Sequence, residues 1–112
     1  MIKADFRRCR NNIIGFTIKG HAGYAESGQD IICAGVSSAI MLTVNTITDF
    51  IGAEAEVDIN HENIGYAFLE LKAPYKKEAT VMLESFLAHL TLLEEDYGHI
   101  MVRISDTTKS SN

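Results

Sequence analysis

GHAGYAESGQDIICAGVSSAI, residues Gly20 to Ile40, is where the hydrophobic period of the chain changes. Before it, Ile14, Phe16 and Ile18 recur at every second position, the period of a half-buried strand that ends at Gly20. After it, Val36, Ile40, Val44, Ile47 and Ile51 recur every three or four residues, as one face of a helix does, and Gly52 ends the run. Between strand and helix lie Gly20, Gly23 and Gly28, with His21, Asp30 and Cys33. The stretch thus predicts a strand, a glycine-studded loop and an apolar helix that opens on a cysteine.

The same two periods organise the rest of the chain. Ile2, Ala4 and Phe6 alternate with Lys3, Asp5 and Arg7 as a first strand, and Asn11-Asn12 suits the hairpin turn because Asn tolerates positive φ. Ala55, Val57 and Ile59 alternate with Glu54, Glu56 and Asp58, and Ala67, Leu69 and Leu71 carry the next strand. Pro74 breaks that strand ahead of a second helix, whose inward face is read as Ala79, Met82, Phe86, Leu90, Leu93 and Tyr97 before Gly98 stops it. Ile100, Val102 and Ile104 form a last strand, and residues 106–112 read as a frayed polar tail.

The order is ββαββαβ, an α+β class. It predicts a mostly antiparallel or mixed five-stranded sheet with two helices packed on one covered face. The first helix is apolar on more than one side and reads as a buried central helix. The 112 residues read as one domain.

Composition narrows the function classes. Hydrophobic content of 46% and charged content of 22% are ordinary for a globular fold. A formal net charge of -5 argues against direct nucleic-acid binding, which needs a basic surface. No segment reads as a membrane span, and the N-terminus lacks the apolar core of a signal peptide, so a cytoplasmic location is expected. In that reducing setting Cys9 and Cys33 are expected as thiols. The histidines and cysteines show no paired ligand spacing, so no metal or other cofactor is implied.

Chemistry concentrates at Cys33. With Asp30 as N-cap, Cys33 takes the third helical position, where unpaired N–H groups and the macrodipole favour a thiolate. His21 sits where the second strand ends, and its imidazole is a base of the right pKa if the loop folds back. N–H groups at the helix start, that of Cys33 included, could hold an oxyanion. A cysteine on an apolar helix is also, more simply, a small buried hydrophobe, and His21 a solvated loop residue. The glycine loop is not a P-loop, since no Gly-Lys-Ser/Thr follows. Cys9, between Arg8 and Arg10, reads as a bystander in a turn. The residues alone leave two readings level: a Cys–His hydrolase or thiol-transfer enzyme, and a non-catalytic assembly or protein-binding module. A thiol-disulfide enzyme lacks a resolving cysteine near Cys33.

Gly20-His21-Ala22 and Asp30-Ile31-Ile32-Cys33-Ala34, with Ser37 one turn on, resemble the two-block motif of the ribosomal-processing cysteine proteases, the Prp family. Length and element order are similar as well. The resemblance implies that Cys33 is the nucleophile and His21 its partner, with Gly20, Asp30 and Ser37 in supporting roles. It implies a peptide substrate, the N-terminal extension of large-subunit ribosomal protein number twenty-seven, cut after a hydrophobic, aromatic-rich segment. It also implies a cytoplasmic homodimer. The loop carrying Ala22, Gly23, Tyr24 and Gly28 is the expected cover for an apolar substrate segment.

Overall fold

The computed structural model describes residues 1–20, 29–60 and 65–107. Strands β1 (Ile2–Cys9) and β2 (Asn12–Lys19) are followed by helix α1 (Gln29–Asn45), which continues as a π-helical stretch over Thr46–Ile51. Strands β3 (Ala55–Ile59) and β4 (Tyr66–Leu71), helix α2 (Lys77–Tyr97) and strand β5 (Ile100–Asp106) complete the expected ββαββαβ order. The five strands form one mixed sheet in the spatial order β3-β4-β2-β1-β5. All pairs are antiparallel except β1–β5.

The layering follows from connection handedness. β2 and β3 both run antiparallel to β4, so α1 joins parallel strands toward one edge. β4 and β5 also share a direction, so α2 joins parallel strands toward the other edge. Right-handed crossovers that leave oppositely directed strands toward opposite edges land on the same face. Helix α1 therefore lies over the β4–β3 side, while α2 packs against β2 and β5.

That face holds the core. Ala4, Phe6, Phe16, Ile18, Ala67 and Leu69 from the sheet meet Ile32, Val36 and Ile40 from α1 and Leu83, Phe86 and Leu90 from α2. At its centre the rings of Phe6, Phe16 and Phe86 stand 5.0 to 6.0 Å apart in tilted or edge-to-face pairs. Each such pair contributes about 0.5–1.5 kcal/mol beyond area burial. The β1–β2 register shifts between Arg7 and Arg8, where Arg7 faces Gly15 and Arg8 faces Ile13. The extra residue, Ile14, lets both Ile13 and Ile14 be buried.

The opposite face is open and polar. Arg7 crosses it, its Nε 2.6 Å from Glu70 Oε1, Nη1 donating to Thr17 Oγ1 at 2.9 Å, and its guanidinium 5.0 Å from the Phe68 ring centre. Gly15 makes the crossing possible, since a Cβ there would stand 2.5 Å from the Leu69 carbonyl oxygen and 2.9 Å from Arg7 Nη2.

Several sequence expectations need correction. The hairpin turn is Arg10-Asn11, not Asn11-Asn12: Cys9 pairs with Asn12, and Arg10 takes the positive φ of 52°. Cys9 is consequently a buried strand residue rather than a turn residue. On α2 the buried stripe is Ala79, Thr80, Leu83, Phe86 and Leu90. Met82 and Leu93 are only half-buried and Tyr97 is exposed, because the inward direction is fixed by Phe86 in the aromatic cluster. Strand β5 reaches Asp106, which pairs with Arg8 at 2.8 Å, and the Thr107 N–H bonds the Arg8 carbonyl. Asp106 is therefore a strand residue and not part of a frayed tail, and residues 108–112 lie outside the described ones.

Helix α1 is not enclosed on all sides. Ile31, Leu42 and Phe50 are 72%, 63% and 85% exposed, while Ile32, Val36, Ile40, Val44 and Ile47 are buried. A helix laid on one sheet face, beside one other helix, buries a stripe rather than its whole girth. The continuous helix Ile31–Ile51 has 21 residues of mean hydropathy 1.7, long and apolar enough to cross a membrane by length and composition. The sequence reading missed this, although the helix's inward stripe is committed to the core.

Candidate active site

The strand that leads to the expected histidine ends under crowding. Gly20 has φ of 154°, and a Cβ there would stand 2.7 Å from Ile2 Cα and 3.0 Å from the Met1 carbonyl oxygen. Only glycine fits this close approach of backbones. The Gly20 N–H donates to the Gly65 carbonyl at 3.1 Å, which extends the β2–β4 ladder by one more bond. The chain thus leaves the sheet at a fixed point, and residue 21 is the next one along. His21 itself, with Ala22, Gly23, Tyr24 and Gly28, lies outside the described residues.

Helix α1 begins at Gln29, one residue before Asp30. Asp30 is therefore inside the first turn rather than the residue ahead of it, and its side chain lies outside the described part. Cys33 becomes the fifth helical residue instead of the third. The shift has two chemical consequences. The macrodipole acts mainly within the first turn, so it favours the Cys33 thiolate less than a third-position placement would. By the i→i−4 rule the Cys33 N–H turns back to the Gln29 carbonyl, so the unpaired donors of the helix start are those up to Ile31. Cys33 and Cys9 carry no disulfide.

Helical geometry shows which way Cys33 faces. One side of α1 adjoins α2 across a groove of about 440 Å³ lined by Gly35, Ala39, Leu42, Met82 and His89. The buried stripe from Ile32 to Ile47 faces the sheet. At about 100° per residue, Cys33 and Ser37 are only about 40° apart and lie on the flank of that stripe turned away from α2. Both are half-buried, and Cys33 packs against the core from its margin. Since α1 covers the β4–β3 side, this flank opens toward the β3 edge. The C-terminal end of β3, the start of β4 and the end of β2 all stand at that same end of the sheet.

The chain thus leaves the sheet at Gly20 and enters α1 four residues before Cys33 at the same end of the fold, with Ser37 one turn further along the helix; the segment that carries His21 joins the two. Sequence reading predicted strand β3 but not its place at the sheet edge beside this flank, where Val57 is 38% exposed and Ala55 and Ile59 pack only in part. Its alternation was visible, but which strand forms the sheet edge is a matter of topology. Among the described residues no cluster of His, Cys, Asp or Glu could hold a metal ion.

Comparison with known proteins gives a consistent set of relatives. The family model for cysteine protease Prp matches residues 1–102. The ribosomal processing cysteine protease Prp of Bacillus subtilis is 34% identical over 102 residues, covering 87% of this chain and 90% of that protein. The protein of the same description from Staphylococcus aureus is 38% identical over 81 residues, covering 70% and 74%. Among solved structures, a Streptococcus mutans protein superposes with a TM-score of 0.84 at 27% identity, covering 96% of each chain. The ribosomal processing protease Prp of Staphylococcus aureus, solved with a covalently linked product peptide, gives 0.82 at 25% identity, covering 94% of this chain and all of that one.

Proposed function

We propose that this chain, which belongs to the Prp family of cysteine proteases, removes the N-terminal extension of large-subunit ribosomal protein number twenty-seven by Cys33 attack assisted by His21. The carrying observation is the placement of Cys33 on an open flank at the start of α1, at the sheet end where the backbone-locked Gly20 hands the chain to His21. The sequence of steps follows from those residue types. His21 takes the Cys33 proton, and the thiolate sulfur bonds to the scissile carbonyl carbon. The unpaired N–H groups at the helix start hold the oxyanion. The peptide C–N bond breaks as the leaving amine takes the proton from His21. Water, deprotonated by His21, then attacks the thioester carbonyl; the Cys33 sulfur leaves, regains the proton from His21, and the excised extension is released with a new C-terminal carboxylate.

In this reading Gly20, Asp30 and Ser37 support the site rather than react. Asp30 acts on the helix start, so Asp30→Asn keeps most of the activity; collapse of activity in a folded variant overturns that role. The loop with Ala22, Gly23, Tyr24 and Gly28 closes over the substrate, which predicts slower amide exchange there when peptide is added. No cofactor enters the reaction. We place the enzyme in the cytoplasm as a homodimer, with sedimentation as the check on its size.

The test is cleavage of a peptide spanning the extension, followed by mass spectrometry, with native protein, Cys33→Ala and His21→Ala. A cut at one bond by native protein alone supports the reading. Partial packing of Cys33 against the core keeps one rival in play, a non-enzymatic ribosome-assembly module in which the thiol fills space. That rival predicts no cleavage and slow alkylation of Cys33 until unfolding. A catalytic thiol alkylates rapidly at neutral pH, at a rate that depends on His21.

A further inference from the structure

The two edges of the sheet differ in how their backbone is used. On β5 the Val102 N–H, which faces away from β1, meets Glu94 Oε2 of α2 at 3.4 Å. On β3 the described residues place no such partner. The Lys72 N–H bonds the Glu54 carbonyl, and the Asn60 N–H bonds the Tyr66 carbonyl. In an antiparallel ladder these fix the bonded pairs as Glu54–Lys72, Glu56–Glu70, Asp58–Phe68 and Asn60–Tyr66. The N–H and C=O groups of Ala55, Val57 and Ile59 therefore point away from β4, along the outer edge.

The side chains of β3 separate just as clearly. Ala55, Val57 and Ile59 pair with Leu71, Leu69 and Ala67 and share their helix-facing side, next to the Cys33 flank of α1. Glu56 and Asp58 are exposed on the opposite, open face and make no ion pair among the described residues. Charges on an edge strand discourage pairing with further strands of like charge. Here the charge is negative on a chain of net -5, so a second copy is repelled, while a basic segment is attracted.

We propose that the outer edge of β3 is the docking strand for the substrate. An extended peptide pairs with the outward N–H and C=O groups of Ala55, Val57 and Ile59. Its apolar side chains enter the half-covered space between β3 and the Cys33 flank of α1. Its alternate, basic side chains meet Glu56 and Asp58. The peptide then leaves the edge beyond Ile59 and presents its scissile bond to Cys33. Main-chain bonds supply affinity, and the two-sided alternation supplies specificity, as in strand addition generally. This inference rests on the protease reading above.

The test uses the peptide spanning the ribosomal-protein extension and copies of it N-methylated at one backbone amide each. Methylation at every second amide of the docked segment should raise KM about tenfold, the loss of roughly one to two hydrogen bonds, with kcat retained. Methylation at the intervening amides should change little. Val57→Pro removes an outward N–H but no bond to β4, so it should fold and raise KM to a similar degree. Glu56→Lys with Asp58→Lys should raise KM for the same peptide and reduce its salt dependence. Amide exchange at Ala55, Val57 and Ile59 in Cys33→Ala should slow on adding the peptide. If native protein cuts the peptide but KM shows no alternating pattern and these amides exchange unchanged, the docking edge is wrong and the protease reading stands. If folded native protein cuts nothing, the protease reading falls and the docking edge with it.

Discussion

The two ends of the sheet are built by different rules. At the hairpin end, β1 turns into β2 through Arg10-Asn11, a bulge buries both Ile13 and Ile14, and an exposed Arg8–Asp106 pair ties β5 to β1. The turn residues there reach solvent, and the tight spot on that side, Gly15, lies inside the sheet under Arg7 rather than at its tip. At the opposite end, β2 finishes at a glycine held against the backbone of Met1 and Ile2, and the Ile2 N–H bonds the carbonyl of His99, itself at φ of 63°. That end has less steric tolerance and carries Cys33, the thiol of the proposed chemistry. The fold thus concentrates its backbone constraint where residues of the proposed chemistry must be aimed, and leaves the far end to ordinary strand pairing.

The comparison is broken most sharply by separating activity from stability at the site end. Cys33→Ala should reduce cleavage by at least about a thousandfold, since it removes the sulfur that attacks the scissile carbonyl in the proposed mechanism. Its melting temperature should stay within a few degrees of native, because Cys33 sits at the core margin. Residual cleavage well above background would move the chemistry elsewhere. The core that both ends share should respond in the opposite way. Phe86→Ala removes the ring that contacts both Phe6 and Phe16 and should lower the unfolding free energy by about 3–5 kcal/mol in denaturant titration. A loss below about 1 kcal/mol would mean that the aromatic cluster is not the common anchor.

Glycine substitutions sharpen the contrast within a single chemistry. Gly20→Ala forces a Cβ to 2.7 Å from Ile2 Cα, a backbone atom that no rotamer change can move. It should cost about 1–3 kcal/mol of stability and reduce cleavage more than tenfold, by shifting the strand end that leads to His21. Gly52→Ala also meets a positive φ, 71°, but no atom lies within 4 Å of the added Cβ. It should cost about 1 kcal/mol and leave cleavage unchanged. Equal effects on cleavage would show that crowding at Gly20 does not aim the site.

The difference between the ends also explains what the sequence made legible. Period-two and period-four patterns depend on burial of one face, so Ile2-Ala4-Phe6 and Val36-Ile40-Val44-Ile47 revealed strands and helix directly. The motif around Gly20 and Cys33 was legible through its resemblance to the Prp family, since the residues alone left the Cys33 chemistry level with simple packing. Positions set by tertiary geometry were not. The choice of Leu83 over Met82 depends on Phe86 meeting two other rings, and the one-residue move of the hairpin turn depends on the bulge at Arg7–Arg8. The earlier start of α1, at Gln29, moved Cys33 by two helical positions, and no residue pattern in a glycine-rich stretch marks that boundary. The edge position of β3 follows only from the strand order.

The smallest expected effect lies at the hairpin end, and it concerns pH. The hydrogen bond and charge of Arg8 hold the Asp106 carboxyl below its usual range, and Asp106 raises the Arg8 guanidinium in turn. A carboxyl lowered in the folded state stabilises the fold above its unfolded pKa, and that contribution disappears as the pH falls through the lowered value. The window is therefore acidic, and stability near neutral pH should not depend on small pH changes through this pair. Both side chains are exposed, at 43% and 74%, so water and salt screen the attraction. Carboxyl titration by NMR should place Asp106 below a reference aspartate, and added salt or Arg8→Ala should bring it back. Asp106→Asn should leave the unfolding midpoint at neutral pH almost unchanged and cleavage unaffected. A large loss of stability or activity from that one exposed change would mean that the hairpin end is coupled to the site, and the division between the two ends would have to be abandoned.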